Sequence, residues 1–113
     1  MTMKHHRLIG RWRIVEADLW DRAHLDLCGP ASLVVRANGS GEIAFGALQG
    51  SLDVDYGPDE IGFTWVGFDE MDEVSGAGSA EPQDDGSITI EFEYLLGDEA
   101  VLKAVRDPSS TAC

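Results

Sequence analysis

Apolar and polar positions alternate along most of this chain. In Ser87-Ile88-Thr89-Ile90-Glu91-Phe92-Glu93-Tyr94, the residues Ile88, Ile90, Phe92 and Tyr94 fall on one face, and Thr89, Glu91 and Glu93 on the other. A period of two is the pattern of a half-buried antiparallel strand. Residues 48–56 repeat it, with Leu48, Leu52, Val54 and Tyr56 expected to point inward. Phe63-Thr64-Trp65-Val66-Gly67-Phe68 reads as a further strand, with Phe63 and Trp65 on a shared face. Turn chemistry separates these runs: Asn38-Gly39-Ser40-Gly41, Tyr56-Gly57-Pro58-Asp59, Asp84-Asp85-Gly86 and Gly97-Asp98-Glu99. Asn-Gly and Asp-Gly suit tight hairpins because glycine accepts positive φ at little cost.

Strands are expected to start near residues 8, 32, 41, 48, 60, 73, 87 and 99. After the first, most steps are close to the roughly 8–12 residues of an all-β sandwich or barrel. The long first gap contains Leu19-Trp20-Asp21-Arg22-Ala23-His24-Leu25-Asp26-Leu27, where Leu19, Trp20, Ala23 and Leu27 share one helical face. Asp18 is placed to cap such a helix and Gly29-Pro30 to stop it. The spacing predicts one short helix near residues 19–27, a loop anchored by Trp20 being the alternative. Residues 1–6 and 107–113 read as flexible tails. The expected fold is therefore one domain over residues 7–106. It is all-β, with about eight antiparallel strands in an up-and-down meander. Closure into a small barrel removes the exposed edges.

Charge narrows the partners. The 113 residues carry 21 acids and 8 bases, a net charge of −13. Nucleic acid and anionic membrane repel such a surface, whereas cationic ligands and basic proteins are attracted. No apolar run approaches the roughly 20 residues of a membrane span, and no signal-peptide pattern follows the basic N-terminus. The expected location is cytoplasmic. Cys28 and Cys113, with three scattered histidines, form neither a disulfide framework nor a zinc pattern. No cofactor is implied.

The two ends of the chain carry a resemblance. Gly10-Arg11-Trp12 lies in the first strand and Leu102-Lys103-Ala104-Val105-Arg106 in the last. This pairing resembles the calycins, the superfamily of lipocalins, fatty-acid-binding proteins and avidins. The resemblance implies that Trp12 plugs one end of a barrel, that Arg106 lies across it, and that the protein binds small, mostly apolar molecules. An eight-stranded barrel is just wide enough to be filled by side chains or to hold one small ligand. The inward candidates Trp12, Ile14, Phe45, Leu52, Phe63, Trp65, Ile90 and Phe92 are bulky, so a packed centre and a ligand cavity both remain open.

Candidate chemistry gathers after the Trp65 strand, where Asp69, Glu70, Asp72 and Glu73 crowd together. Such acids repel one another or recruit a cation, but their spacing is not that of an EF-hand loop. The bland expectation is a solvated loop with Met71 tucked inward. The small-residue run 75–80 lacks the strand and helix of a phosphate cradle, and is expected to make room for Trp65 or Trp20. His24, near Asp21, Asp26 and Cys28, lacks a placed nucleophile, which argues against catalysis. Arg22 and Arg36 are expected to pair with nearby acids. The leading expectation is a non-enzymatic barrel that binds a small apolar or cationic molecule. Trp20, Trp65, Tyr94, Glu70 and Asp72 would line its site, and Gly10, Trp12 and Arg106 would hold the frame. The alternative is an acidic interaction module, of inhibitor, immunity or adaptor type, that binds a basic protein. A metal-assisted hydrolase at Asp69, Glu70 and Asp72 is a third and weaker possibility.

Overall fold

A computed structural model describes residues 7–18, 31–95, 97 and 99–107. Eight strands run in sequence: β1 (Gly10–Ala17), β2 (Ser32–Val35), β3 (Ser40–Phe45), β4 (Leu48–Tyr56), β5 (Ile61–Asp69), β6 (Asp72–Pro82), β7 (Ile88–Tyr94) and β8 (Glu99–Arg106). Each pairs antiparallel with the next, and β8 returns to β1, closing the barrel. The meander and its closure follow the alternation in the sequence. The expected helix at 19–27, with Trp20, His24 and Cys28, lies outside the described residues, as do 1–6 and 108–113. No helix among the described residues is long and apolar enough to cross a membrane.

Short turns set the registers. Asn38 accepts hydrogen bonds from the backbone and hydroxyl of Ser40 between β2 and β3. Between β6 and β7, Asp85 accepts from the hydroxyl and the N–H of Ser87. These bonds hold the Asp85 carboxyl below its ordinary pKa. Their contribution to the turn is thus present above the usual carboxylate range and lost as pH falls through the lowered value. The β5–β6 hairpin has an unusual tip. Glu70 and Met71 both take positive φ, at 53° and 78°, where hairpins favour Asn-Gly. Met71 was expected to tuck inward. It is instead 93% exposed, because a two-residue turn at the end of a long hairpin leaves its central side chains beyond the barrel wall.

Tyr56 also departs from its expected place. It continues the inward row of β4 but is exposed. Its hydroxyl accepts from the Gly39 N–H at 3.1 Å and donates to the Arg36 carbonyl. The ring therefore leans over the rim and ties down the β2–β3 turn. In β1, the pairing with β8 shifts between Ile14 and Glu16. This bulge lets Trp12, Ile14 and Ala17 all belong to the core or its margin despite odd spacing.

One end of the barrel is sealed by the residues that carry the calycin resemblance. Trp12 and Arg106 are cross-strand partners. The Arg106 guanidinium lies 4.0 Å over the indole. Its Nη1 donates to the Ile9 carbonyl and its Nη2 to the Arg7 carbonyl, each at 2.8 Å. The indole N–H donates to the Leu8 carbonyl at 3.0 Å, and Leu8 itself is 1% exposed. The segment before β1 is thus folded across the barrel end and pinned there. Gly10 is required twice over: its φ is +133°, and a Cβ there would collide with Arg106 Nη1.

Two predictions follow from these contacts. Arg106→Ala removes the stacked cation and two charge-assisted bonds, and should lower the unfolding free energy by about 2–3 kcal/mol in urea titration. A loss below about 0.5 kcal/mol would mean that closure does not depend on this side chain. Replacing Glu70-Met71 by Asn-Gly should raise stability by about 1 kcal/mol, seen as a higher urea midpoint with unchanged slope.

Candidate functional site

Strand direction alternates, so the starts of odd strands and the ends of even strands share the sealed end. Asp69 and Tyr94 close β5 and β7 and therefore lie at the far end. Between the two ends the barrel is filled by aromatic rings. Phe92 stacks on Trp65 at 4.6 Å between centroids and meets Phe45 edge-on at 5.3 Å. Phe63 lies 6.4 Å from Phe92, and Tyr94 meets it edge-on at 5.6 Å. Of the two possibilities for the interior, the middle of the barrel takes the packed one.

Small residues on β6 make that packing possible. Following cross-strand partners from β1 gives Gly10, Val35, Gly41, Leu52, Trp65, Gly76 and Tyr94. A neighbouring row gives Val54, Phe63, Gly78, Phe92 and Ala100. In both rows a glycine of β6 stands between an aromatic of β5 and one of β7. Adjacent strands lie only about 4.8 Å apart, so three large inward side chains in a row do not fit. A Cβ on Gly78 would sit 2.7 Å from Phe63 Cζ, and one on Gly76 would sit 2.9 Å from Trp65 Nε1. The indole crosses over Gly76 and donates to the Glu93 carbonyl on β7 at 3.1 Å. The run 75–80 thus makes room for Trp65, as its composition suggested.

The far end gathers some of the expected lining residues and separates others. Tyr94 is half-buried and meets Trp65 edge-on at 5.3 Å and 88°. Its hydroxyl donates to the Asp69 carboxylate at 3.4 Å. Asp69 is half-buried beside it, and Val74 is half-buried on the inward row of β6. Trp65 lies behind Tyr94, buried, with its N–H committed to Glu93. Glu70 and Asp72 are exposed at the hairpin tip, and Trp20 lies outside the described residues. Alternation divides the acid run. Asp69 and Asp72 are cross-strand partners on the inward rows of β5 and β6, whereas Glu73 pairs with Phe68 on the outer face. Among the described residues no group of three or more His, Cys, Asp or Glu is arranged to hold a metal ion. The cation alternative for this run therefore lacks a ligand set there. The carboxylate bonded to the aromatic wall is Asp69, which alternation places on the Trp65 face.

The charge is also distributed unevenly, and the sequence carries the signal. No Lys, Arg or His occurs between Arg36 and Lys103. β4 through β7 therefore hold acids without a base, while Arg11, Arg13, Lys103 and Arg106 lie on the adjoining strands β1 and β8. Arg36 pairs with Glu42 at 2.7 Å, as its setting implied. Comparison of the chain with protein-family models, with curated proteins and with solved structures finds no match.

The glycine rows yield a test of the packed interior. Gly76→Val should lower stability by at least about 2 kcal/mol through overpacking and loss of the Trp65–Glu93 bond. Tryptophan emission should move to longer wavelength as the indole is displaced.

Proposed function

We propose that this protein is a non-enzymatic, calycin-like binding barrel that takes a small molecule at its far end. The ligand class is an apolar body carrying a cationic or hydrogen-bond-donating group. The observation that carries this reading is the Tyr94–Asp69 pair: a half-buried aromatic face whose hydroxyl meets a half-buried carboxylate. Ligand sites of this kind combine apolar walls with a few polar groups that set orientation. Here Tyr94 would supply the wall, backed by Trp65 and Phe92, and Asp69 would orient the ligand's donor or charge. Glu70 and Asp72 at the adjacent tip would raise the local concentration of cations without touching the buried part of the ligand. A cation over an aromatic ring adds about 0.5–2 kcal/mol, depending on desolvation.

The frame supports the same assignment. The Trp12–Arg106 lock spends one end of the barrel on closure, and the stacked rings occupy its middle. Binding of a small molecule is thus referred to the remaining end, as expected of a calycin-like barrel. The net charge favours a cationic over an anionic ligand, and a cytoplasmic setting accords with the sequence.

Titration with a short-chain alkyltrimethylammonium, followed by tryptophan fluorescence and calorimetry, tests this reading. The wild-type protein should bind it. Tyr94→Ala should weaken binding about tenfold, equivalent to about 1.4 kcal/mol. Asp69→Asn should weaken the ammonium probe strongly and the corresponding alkyl alcohol much less, because the amide oxygen still accepts a hydrogen bond from the hydroxyl. Equal affinities for all three proteins, or no binding of either probe, would refute the site.

A further inference from the structure

The outer surface of the barrel has a feature that ligand binding at the far end does not use. On the outer face of β5, Val66 and Phe68 occupy alternate positions and are 62% and 57% exposed. Leu95, just past β7, is 68% exposed. Val66 pairs with Ser75 on β6, whose carbonyl accepts from the Leu95 N–H at 2.8 Å. Val66 and Leu95 therefore flank a small side chain on one outer row, and Phe68 lies one step further along β5. Met71 projects at the adjoining hairpin tip. Contiguous exposed apolar side chains on a highly charged protein mark an interaction surface.

Beside these residues runs a groove of about 380 Å³, lined by Thr64, Ser75, Gly76, Ala77, Glu93, Tyr94 and Leu95. Its floor is shallow because β6 places only small side chains there. The rim is acidic: Glu73 is the cross-strand partner of Phe68, and Glu93 is that of Ala77. Arg7 pairs with Asp59, Arg36 with Glu42 and Lys103 with Asp85. None of these lies on this face.

The charge selects the occupant. A second copy of the chain would bring acid rim against acid rim, and nucleic acid or an anionic bilayer would be repelled as well. Closure leaves only a short unpaired stretch here, Asp72–Val74 beyond the end of β7, so a partner has little edge on which to add a strand and engages side chains instead. An amphipathic segment satisfies both demands: apolar side chains cover Val66, Phe68 and Leu95, and lysines or arginines reach Glu73 and Glu93. We propose that the outer face formed by β5, β6 and the end of β7 docks a basic amphipathic segment of a partner protein. This surface meets the Tyr94–Asp69 site only at Tyr94, which lines the groove; Val66, Phe68, Glu73 and Leu95 take no part in that site.

The test uses the full chain and a fluorescently labelled amphipathic helical peptide of Leu and Lys, with a Leu/Glu peptide of the same pattern as control. Anisotropy should show binding of the basic peptide alone, weakening steeply with salt. Phe68→Ser should reduce affinity at least tenfold with the salt dependence retained. Glu73→Gln with Glu93→Gln should reduce it about fivefold and flatten the salt dependence. Leu95→Ser serves as a second apolar variant, and near-ultraviolet circular dichroism confirms that each variant is folded. Phe68→Ser should leave alkyltrimethylammonium affinity as in the wild type, so the two sites fail separately. The proposal is overturned by absence of peptide binding, by equal binding of the acidic peptide, or by wild-type affinity in both apolar variants. A wild-type dimer that Phe68→Ser dissolves would assign the face to a second copy and overturn it too.

Discussion

The guanidinium of Arg106 braces the seam where β8 meets β1 and the barrel closes. It stacks on the Trp12 indole and donates to two carbonyls of the segment that precedes β1. One side chain thereby satisfies polar backbone at the barrel end, covers the largest side chain there and ties the last strand to the first. A lysine offers a point charge and cannot reproduce the planar fork. Partial burial draws the pKa of Arg106 below that of an ordinary arginine, yet such a group remains charged at any physiological pH. The cation needed for both the stacking and the hydrogen bonds is therefore always present.

Closure leads directly to the packing of the middle. A barrel of eight strands has a narrow interior, and this chain sends Phe45, Phe63, Trp65 and Phe92 into it. The rings fit because β6 withholds side chains at Gly76 and Gly78. That choice has an outward effect as well. The same strand carries Ser75 and Ala77 on its other face, where their small size leaves the groove beside Leu95. One strand of small residues thus shapes both the tight interior and the shallow exterior.

Much of this was legible in the chain. Alternation in residues 87–94 marks β7 because each second side chain enters the core. Gly10, Trp12 and Arg106 were legible because stacking and closure place first and last strands together. Other features depend on information that alternation lacks. A period of two says which face a residue takes, but not whether a position at a strand's end still lies within the wall. Tyr56 and Met71 lie outside the wall for that reason. Net charge likewise carries no geometry. The gap without bases from Arg36 to Lys103 becomes an acidic face only once the meander sets β4 to β7 side by side. Alternation marks Trp65 as inward, but its commitment to the Glu93 carbonyl arises from the register of β6 and β7.

The lock between the first and last strands has a consequence for biosynthesis. Arg106 and Ile9 are 97 positions apart, and Arg106 and Arg7 are 99 apart. Contacts so distant along the chain form slowly, since a long loop must close before they are rewarded. Until β8 has left the ribosome, β1 and β7 each lack a neighbour and expose a row of unpaired amides, the surface on which chains aggregate. The nascent barrel is therefore most vulnerable just before β8 emerges, and arrival of that strand ends the exposure on both sides at once.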